Sequence, residues 1–238
     1  MSGNPLFRVS PAIFEQFPTY VVGCVAATGI AGVDQQHVED LLGSAEVRAR
    51  ARYEGIDLKT EESFAAWRDA FSSAGWSPSR FPSSVEALNK RVQRGDNVPR
   101  INPAVDLANA TALYYSVPVG THDIDTFGDC SLNVRWAAEE DRFIDMNGDV
   151  ESGIAGEIGY TVGSDIRTRR WVWRQGRNGL VQPEASNVFF PIDGFADRDL
   201  DSVEAAVNFL AETCRTALGA EVTQGLVSAD APEFLVDC

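Results

Sequence analysis

The chain has 238 residues, and its 35 acidic and 20 basic side chains give a formal net charge of −15 at neutral pH. This charge argues against a protein that coats nucleic acid nonspecifically, because phosphate binding needs positive counter-charge. With 44% hydrophobic residues, the composition is that of an ordinary globular protein.

The chain has four widely spaced cysteines and no C-x-x-C pair: Cys24, Cys130, Cys214 and Cys238. This spacing favours reduced thiols, and the first residues lack the basic and apolar regions of a signal peptide. The longest weakly polar run, residues 20–33, is too short to span a membrane. We therefore expect a cytoplasmic protein with no membrane partner.

Half of the basic residues lie in two short windows that hold only two acids, Glu86 and Asp96. The first window contains Arg80, Lys90, Arg91, Arg94 and Arg100, and the second contains Arg167, Arg169, Arg170, Arg174 and Arg177. An acidic protein with two basic patches can bind one defined anionic ligand and still repel bulk polyanion. Internal pairing of the same arginines with carboxylates is the equally weighted alternative.

The first half of the chain predicts one strand followed by helices. The strand covers residues 20–30 and ends at a glycine-rich turn. Apolar spacing and capping residues then predict four helices: one from Gln35, one ending before Gly75, one capped by Ser83, and one capped by Asn102 with Pro103 as its first residue. On the last of these, Asn109 lies one turn after Asp106.

The middle of the chain predicts a sheet, since SLNVRWA, GEIGYTVG, RRWVWRQ and NVFFPI are short, β-branched or aromatic segments. An amphipathic helix follows, from a cap at Asp201 to Gly219. Helices on both sides of a block of strands predict an α+β fold, with a central mixed or antiparallel sheet flanked by helices. We expect a single domain over residues 1–238, in which residues 1–80 are integrated with the core motifs of 81–220.

The stretch PVGTHDID, residues 118–125, places His122 beside Asp123 and Asp125. A histidine next to carboxylates has the composition of an acid/base or metal site, and the two aspartates could hold a hard cation. A short acidic pair after a proline is more often only a loop. With two histidines and scattered cysteines, we expect no metal and no cofactor.

The segment RTRRWVWRQGRNG combines arginines with tryptophans. Read as a strand, it places Arg170 and Arg174 on one face, where they could hold phosphate, with aromatic rings nearby to stack a base. The alternative, given even weight, is that the tryptophans belong to the core and the arginines extend over them. Sequence signatures of familiar hydrolases and nucleotide-binding loops are missing from the chain.

The order INPAVDLANATALYYSVPVGTHDID, NVRWA, GEIGY and RRWVWRQ resembles the B3/B4 domain of the phenylalanyl-tRNA synthetase beta subunit, and more closely its freestanding relatives. Within the family pattern V-D-x-T-N, then P-x-H-x-F-D-x-D, the matching residues are Val105, Asp106, Asn109, Pro118, Asp123 and Asp125. In the synthetase this domain hydrolyses mischarged tyrosyl-tRNA, through a positioned water and the ribose hydroxyls more than a strong base. The resemblance therefore implies an editing-type module.

The sequence departs from the family pattern at two places. The family histidine falls on Gly120, and His122 takes the place of an aromatic residue. The glutamate that selects tyrosine falls near Trp173, Arg174 and Gln175, which implies a different and smaller pocket.

From the resemblance we expect a module that hydrolyses or binds mischarged aminoacyl-tRNA in trans. Its expected partners are tRNA and, as a further candidate, an aminoacyl-tRNA synthetase, with no DNA. Whether it is an enzyme, a deacylase, is left open. The expected substrate-binding residues are Asn109, Gly120, His122, Trp173 and Gln175, and the expected RNA-binding residues are Arg170 and Arg174. The alternatives are a noncatalytic RNA-binding domain and a binder of a small anion.

Overall fold

The computed structural model describes residues 5–152 and 154–236, so the predicted domain limits at 1 and 238, together with Cys238, lie outside the described residues. Within these ranges the α-helices are α1 Pro11–Gln16, α2 Gln35–Arg52, α3 Glu62–Ser73, α4 Ser84–Gln93, α5 Pro103–Tyr115 and α6 Leu200–Ala217. Within the described part of the chain, no helix is both long and apolar enough to cross a membrane.

The strands are β1 Phe7–Val9, β2 Tyr20–Thr28, β3 His122–Asp123, β4 Leu132–Trp136, β5 Arg142–Ile144, β6 Val150–Glu151, β7 Ile158–Val162, β8 Asp165–Arg169, β9 Arg174–Gln175, β10 Val188–Phe195, β11 Glu221–Val227 and β12 Glu233–Phe234. They have five residues or fewer except for three, β2, β10 and β11.

These strands form two sheets where the sequence predicts one. The larger sheet has the order β12-β1-β4-β7-β8-β5-β6, with β9 beside β8. It is mixed, since β1–β4 and β5–β8 are parallel pairs and the other pairs are antiparallel. The smaller sheet is antiparallel, in the order β11-β2-β10-β3. The α+β class and the helix-flanked mixed sheet are thus confirmed.

Strand β2 is buried on both faces, which explains its continuous apolar sequence. Tyr20, Val22, Cys24 and Ala26 belong to the core shared with the larger sheet. The alternate residues, such as Val25, belong to a second core that includes residues of α5 and α6. The smaller sheet therefore lies between the larger sheet and a layer of helices.

Two glycines allow α6 to pack closely on the smaller sheet. A Cβ added to Gly23 in β2 would lie 2.4 Å from a methyl carbon of Val207, and one added to Gly194 in β10 would lie 2.5 Å from a methyl carbon of Val203. Because Cβ atoms do not approach other carbons this closely, α6 can take this position only over glycine.

The predicted helices and their caps are largely confirmed. Ser83 accepts a hydrogen bond from the Glu86 backbone, and Asn102 accepts one from the Val105 backbone. The predicted start of the last helix is wrong. It begins at Leu200 rather than after a cap at Asp201, and Asp199, the residue before it, accepts from the Phe195 backbone nitrogen.

The interpretation of residues 169–174 as a strand is wrong. Strand β8 ends at Arg169, and the next two residues have left-handed backbone angles, with φ of 42° at Arg170 and 62° at Trp171. Trp171 is completely buried, with ring centroids 4.7 Å from Phe17 and Tyr20. Burial of this large ring outweighs the local preference for an extended chain.

Candidate functional site

A narrow pocket of about 80 Å³ opens between the ends of the two sheets. Its walls come from residues 118–122, from the turn and short strand at 171–175, and from Pro191 and Asp193 of β10. Residues 118–122 run along β10, because Val119 bridges Ile192 and His122 pairs with Phe189. A volume of this size admits a small chemical group rather than a drug-sized ligand.

Asp193 is a buried carboxyl group that lines this pocket. The hydroxyl groups of Tyr20 and Tyr160 both donate to its Oδ1, at 2.5 and 2.6 Å. Burial raises the pKa of Asp193 to about 7, although the two tyrosine hydrogen bonds act in the opposite direction. Burial together with Asp193 raises the pKa of both tyrosines, which therefore stay protonated as donors.

His122 is buried in the same pocket, and its ring stacks on that of Tyr160 at a centroid distance of 5.4 Å. Burial, and to a lesser degree the charge of Arg167, lowers the pKa of His122 to about 3. The imidazole is therefore neutral at physiological pH and would be a weak general base. Its Nδ1 is buried with no hydrogen-bond partner among the described residues.

Gly120 and Gln175 also line the pocket. A Cβ at Gly120 would lie 2.9 Å from Pro191 Cγ and 3.4 Å from His122 Nε2, so a side chain there would clash with the proline and contact the histidine. The Gln175 amide nitrogen donates to the carbonyl oxygens of Thr121 and Gly179. This leaves the amide oxygen as the group that Gln175 can present to a ligand.

Asn109 lies in an adjoining groove of about 440 Å³ rather than in the narrow pocket. The groove is formed by α4 and α5, and Trp173, Ser84 and Val119 line both spaces. The Trp173 ring packs against Phe81, with centroids 4.7 Å apart. The structure thus brings four of the predicted substrate residues together and places Asn109 next to them.

Four of the five arginines of the second basic window, Arg167, Arg169, Arg170 and Arg174, are paired internally. Arg169 contacts Glu157 and Glu151; Arg170 contacts Glu157 at 2.6 Å; Arg174 contacts Glu151 at 3.2 Å and Asp145 at 3.5 Å. Arg170 also lies 3.8 Å from the centroid of Phe81. Among these paired arginines Arg174 has a partly exposed side chain, at 36% against 14% for Arg170, and the fifth arginine, Arg177, is exposed.

The first basic window behaves differently. Lys90, Arg91 and Arg94 are exposed on or just after α4, and none of them makes an ion pair with a described residue. Arg91 also lines the groove beside the pocket. Arg100, by contrast, is held by the buried Glu46 at 2.8 Å. We call Lys90, Arg91 and Arg94 the α4 basic face.

The aspartates beside His122 have local structural partners. The Asp123 side chain accepts from the Asp125 backbone, and Asp125 accepts from the Asn187 side chain. Within the residues described, no three histidine, cysteine or acidic side chains are grouped as metal ligands would be.

The sequence interpretation missed Asp193 and Tyr160, which line the pocket, and Tyr20, a buried residue whose hydroxyl donates to Asp193. The available signal was Asp193 itself, a single carboxyl group within the otherwise apolar segment VFFPIDGF. A charged residue at an interior position of a buried strand is rare without a partner or a function. The tyrosines gave no such signal, because aromatic residues are common in strands.

A structural comparison finds similarity to the N-terminal fragment of the phenylalanyl-tRNA synthetase beta subunit from Pyrococcus horikoshii. The sequences are 11% identical, the TM-score is 0.46, and the alignment covers 94% of this chain. It covers 55% of the fragment, so the chain spans about half the length of that fragment. A comparison with curated proteins finds no match.

The family model described as "B3/4 domain" matches residues 66–213. This match extends over more than half of the chain and includes the pocket residues from Ser84 to Asp193. The chain therefore belongs to the B3/4 domain family.

Proposed function

We propose that this protein is a cytoplasmic editing-type module that binds mischarged aminoacyl-tRNA and hydrolyses it in trans. The observation that carries the proposal is the convergence of Gly120, His122, Trp173 and Gln175 on one narrow pocket within the region that matches the family. These residues stand at or near the positions where the family pattern has its histidine, an aromatic residue and the glutamate, although the residue types differ here. An aminoacyl-tRNA synthetase is a further partner in this proposal.

In this proposal the pocket takes the amino acid and works mainly by orientation. The Gln175 amide oxygen and the neutral His122 ring offer hydrogen bonds that can orient an ester and a water molecule. The volume of about 80 Å³ favours a small amino acid side chain over an aromatic one. Selectivity for small amino acids is the expected result.

The adjoining groove suits the terminal nucleotide of the tRNA. Trp173 lies between the pocket and the groove, and its ring can stack on a base. The half-buried Asn109 side chain, within α5, also lines the groove and can hydrogen-bond to a ribose.

For the phosphates we propose the α4 basic face first, because its charges are exposed and have no ion pair among the described residues. Arg174 is second, since its side chain is partly exposed at the pocket. Arg170 is the weaker candidate, because Glu157, Phe81 and Trp173 already surround its guanidinium.

Binding without hydrolysis is the second candidate function. The observation that favours it is the low pKa of His122, about 3, which leaves the pocket without a histidine base at neutral pH. Under this alternative the protein would hold aminoacyl-tRNA without cleaving the ester.

A deacylation screen tests the proposal. Purified protein is mixed with a panel of mischarged tRNAs, and the loss of the amino acid is followed alongside Gln175→Ala and, as a control, Gln182→Ala at an exposed position seven residues away. We expect hydrolysis of at least one tRNA bearing a small amino acid, altered selectivity in Gln175→Ala and no change in the control. Binding without hydrolysis would support the second candidate; neither binding nor hydrolysis would overturn both.

A further inference from the structure

The narrow pocket presents hydrogen-bond acceptors that are not satisfied by the protein. Both tyrosine hydroxyls donate to Oδ1 of Asp193, and Oδ2 receives no hydrogen bond from any residue that the structure describes. Asp193 is only 1% exposed, yet it lines the pocket. Burial of a carboxyl group with one oxygen unbonded is unfavourable, so a ligand that completes its hydrogen bonds is expected.

His122 offers a further unsatisfied atom in the same pocket, because its Nδ1 accepts a hydrogen bond in the tautomer that carries the proton on Nε2. The buried His122 has no partner on Nδ1 among the described residues, and the imidazole is neutral. The neighbouring cation, Arg174, is already engaged by Glu151 and Asp145. A carboxylate or phosphate placed directly against Asp193 would therefore meet a like charge, whereas a group that donates hydrogen bonds would find complementary partners there.

We propose that Asp193 binds the α-ammonium group of the aminoacyl ligand through its Oδ2, while Tyr20 and Tyr160 hold Oδ1. This inference rests on the proposed function and names the contact that would orient the ester. An ammonium group donates up to three hydrogen bonds, and a charge-assisted bond to a carboxylate is among the stronger ones. The two tyrosines fix the direction of the carboxyl plane, so the position of the ammonium group is set by the fold.

The test uses small probes and the native protein. Ethyl esters of alanine and serine, and their N-acetyl counterparts, are titrated while the ring resonances of the two histidines are recorded by NMR. His122 lines the pocket, and the exposed His37 is an internal control for nonspecific effects. We expect the free-amine esters to shift His122 alone, and the N-acetyl esters to bind roughly tenfold to hundredfold more weakly.

Two variants separate a ligand contact from a structural role. Asp193→Asn keeps an acceptor for both tyrosines and removes the charge, so it should bind free-amine and N-acetyl esters equally weakly. The matched control is Asp199→Asn, another buried aspartate that does not line the pocket, which should keep the full preference. If Asp193→Asn does not fold, the titration of the native protein is sufficient. Equal binding of the free-amine and N-acetyl esters, or no binding of either, overturns the proposal.

Failure of this inference can be told apart from failure of the proposed function. Hydrolysis or binding of aminoacyl-tRNA that is unchanged by N-acetylation would refute the role of Asp193 and leave the editing-type function in place. A preference for free-amine esters that depends on Asp193, without any affinity for aminoacyl-tRNA, would support the ammonium site and refute the tRNA ligand.

Discussion

Asp193 and His122 lie in one pocket, and burial shifts their pKa values in opposite directions. Burial disfavours the charged form of each group, so the carboxyl pKa rises to about 7 and the imidazole pKa falls to about 3. Near neutral pH the histidine is uncharged and the carboxyl group is close to its midpoint. The charge of the pocket therefore depends mainly on Asp193.

Asp193 should make the protein less stable as the pH rises. Its folded-state pKa of about 7 lies above the ordinary value of 3.8, so between these pH values the folded state binds more protons than the unfolded state. The stability that comes from this proton binding is present at low pH and is lost as the pH rises through 7. The groups that act on its pKa are Tyr20, Tyr160 and Asp199; Cys24 is also near it, and His122 lies in the same pocket. We expect the free energy of unfolding of the native protein, relative to Asp193→Asn, to fall by a few kcal/mol between about pH 4 and pH 8.

Urea unfolding of both proteins across this range measures the difference. Asp199→Asn is the control for a second buried carboxyl group, whose pKa burial raises to about 6. The difference in the free energy of unfolding between the native protein and Asp199→Asn should fall over a lower pH range than the difference for Asp193→Asn. A native-minus-variant difference for Asp193 that is flat or rises with pH would contradict the assignment.

His122 should not be the sole catalytic base. Because its pKa is about 3, its protonation does not change between about pH 5 and pH 8, and it should cause no inflection in a rate profile there. If hydrolysis is found, we expect His122→Ala to lower the rate and to keep the shape of the profile. Loss of all hydrolysis at every pH, with tRNA binding intact, would show that His122 is essential to the chemistry.

At the level of elements, the contact between α6 and the smaller sheet depends on glycine. Gly23→Ala would place a methyl group against Val207, and we expect a loss of about 1–3 kcal/mol in the free energy of unfolding. The matched control is Gly43→Ala within α2, where the added Cβ would meet only Arg100 Nη2 at 3.9 Å. That control should be neutral or stabilising by up to about 1 kcal/mol.

Denaturant unfolding compares the two alanine variants with the native protein. Equal midpoints for Gly23→Ala and Gly43→Ala would mean that α6 can move away from β2 at no cost, and the close packing would then not be a requirement of the fold.

Regular elements of this chain can be predicted where local signals agree, and α4 and α5 are examples. Ser83 and Asn102 mark their first turns, and apolar spacing gives their buried faces. The turn at Arg170 and Trp171 could not be predicted, because its cause is a distant aromatic cluster formed with Phe17, Tyr20 and Trp67. The division into two sheets also depends on long-range pairing, such as that of β10 with β2, which are far apart in the chain.

The candidate site, too, can be predicted from the sequence only in part. Family motifs identify Gly120, His122 and Gln175, which line the pocket. The hydrogen-bonded group of Asp193, Tyr160 and Tyr20 comes from three separate strands, which the chain brings together only on folding. No local spacing in the sequence links those three residues.

For the whole molecule, the distribution of charge decides how RNA can bind. The net charge of −15 opposes RNA, so binding requires a local positive surface. We expect Lys90→Gln and Arg94→Gln to weaken tRNA binding. We also expect them to lower the salt slope, the magnitude of the slope of the logarithm of the binding constant against the logarithm of the salt concentration, by about one unit for each phosphate that the variant no longer neutralises. Lys59→Gln, at the only other lysine of the chain, is the matched control.

The same assay ranks the arginines of the second window. Arg170→Gln should change the salt slope little and should mainly affect stability, because it removes the ion pair with Glu157. A large decrease in salt slope for Arg170→Gln, together with none for Lys90→Gln, would move the phosphate contacts from the α4 basic face to the second window.

The central claim is that the pocket between the two sheets is an aminoacyl site. Its most direct test is a crystal structure of the protein with a non-hydrolysable 3′-aminoacylamino-adenosine analogue that carries a small amino acid. We expect the ammonium group to lie within hydrogen-bond distance of Asp193 Oδ2, the amino acid beside His122 and Gln175, and the adenine against Trp173. An analogue bound elsewhere on the protein, with this pocket empty, would contradict the account.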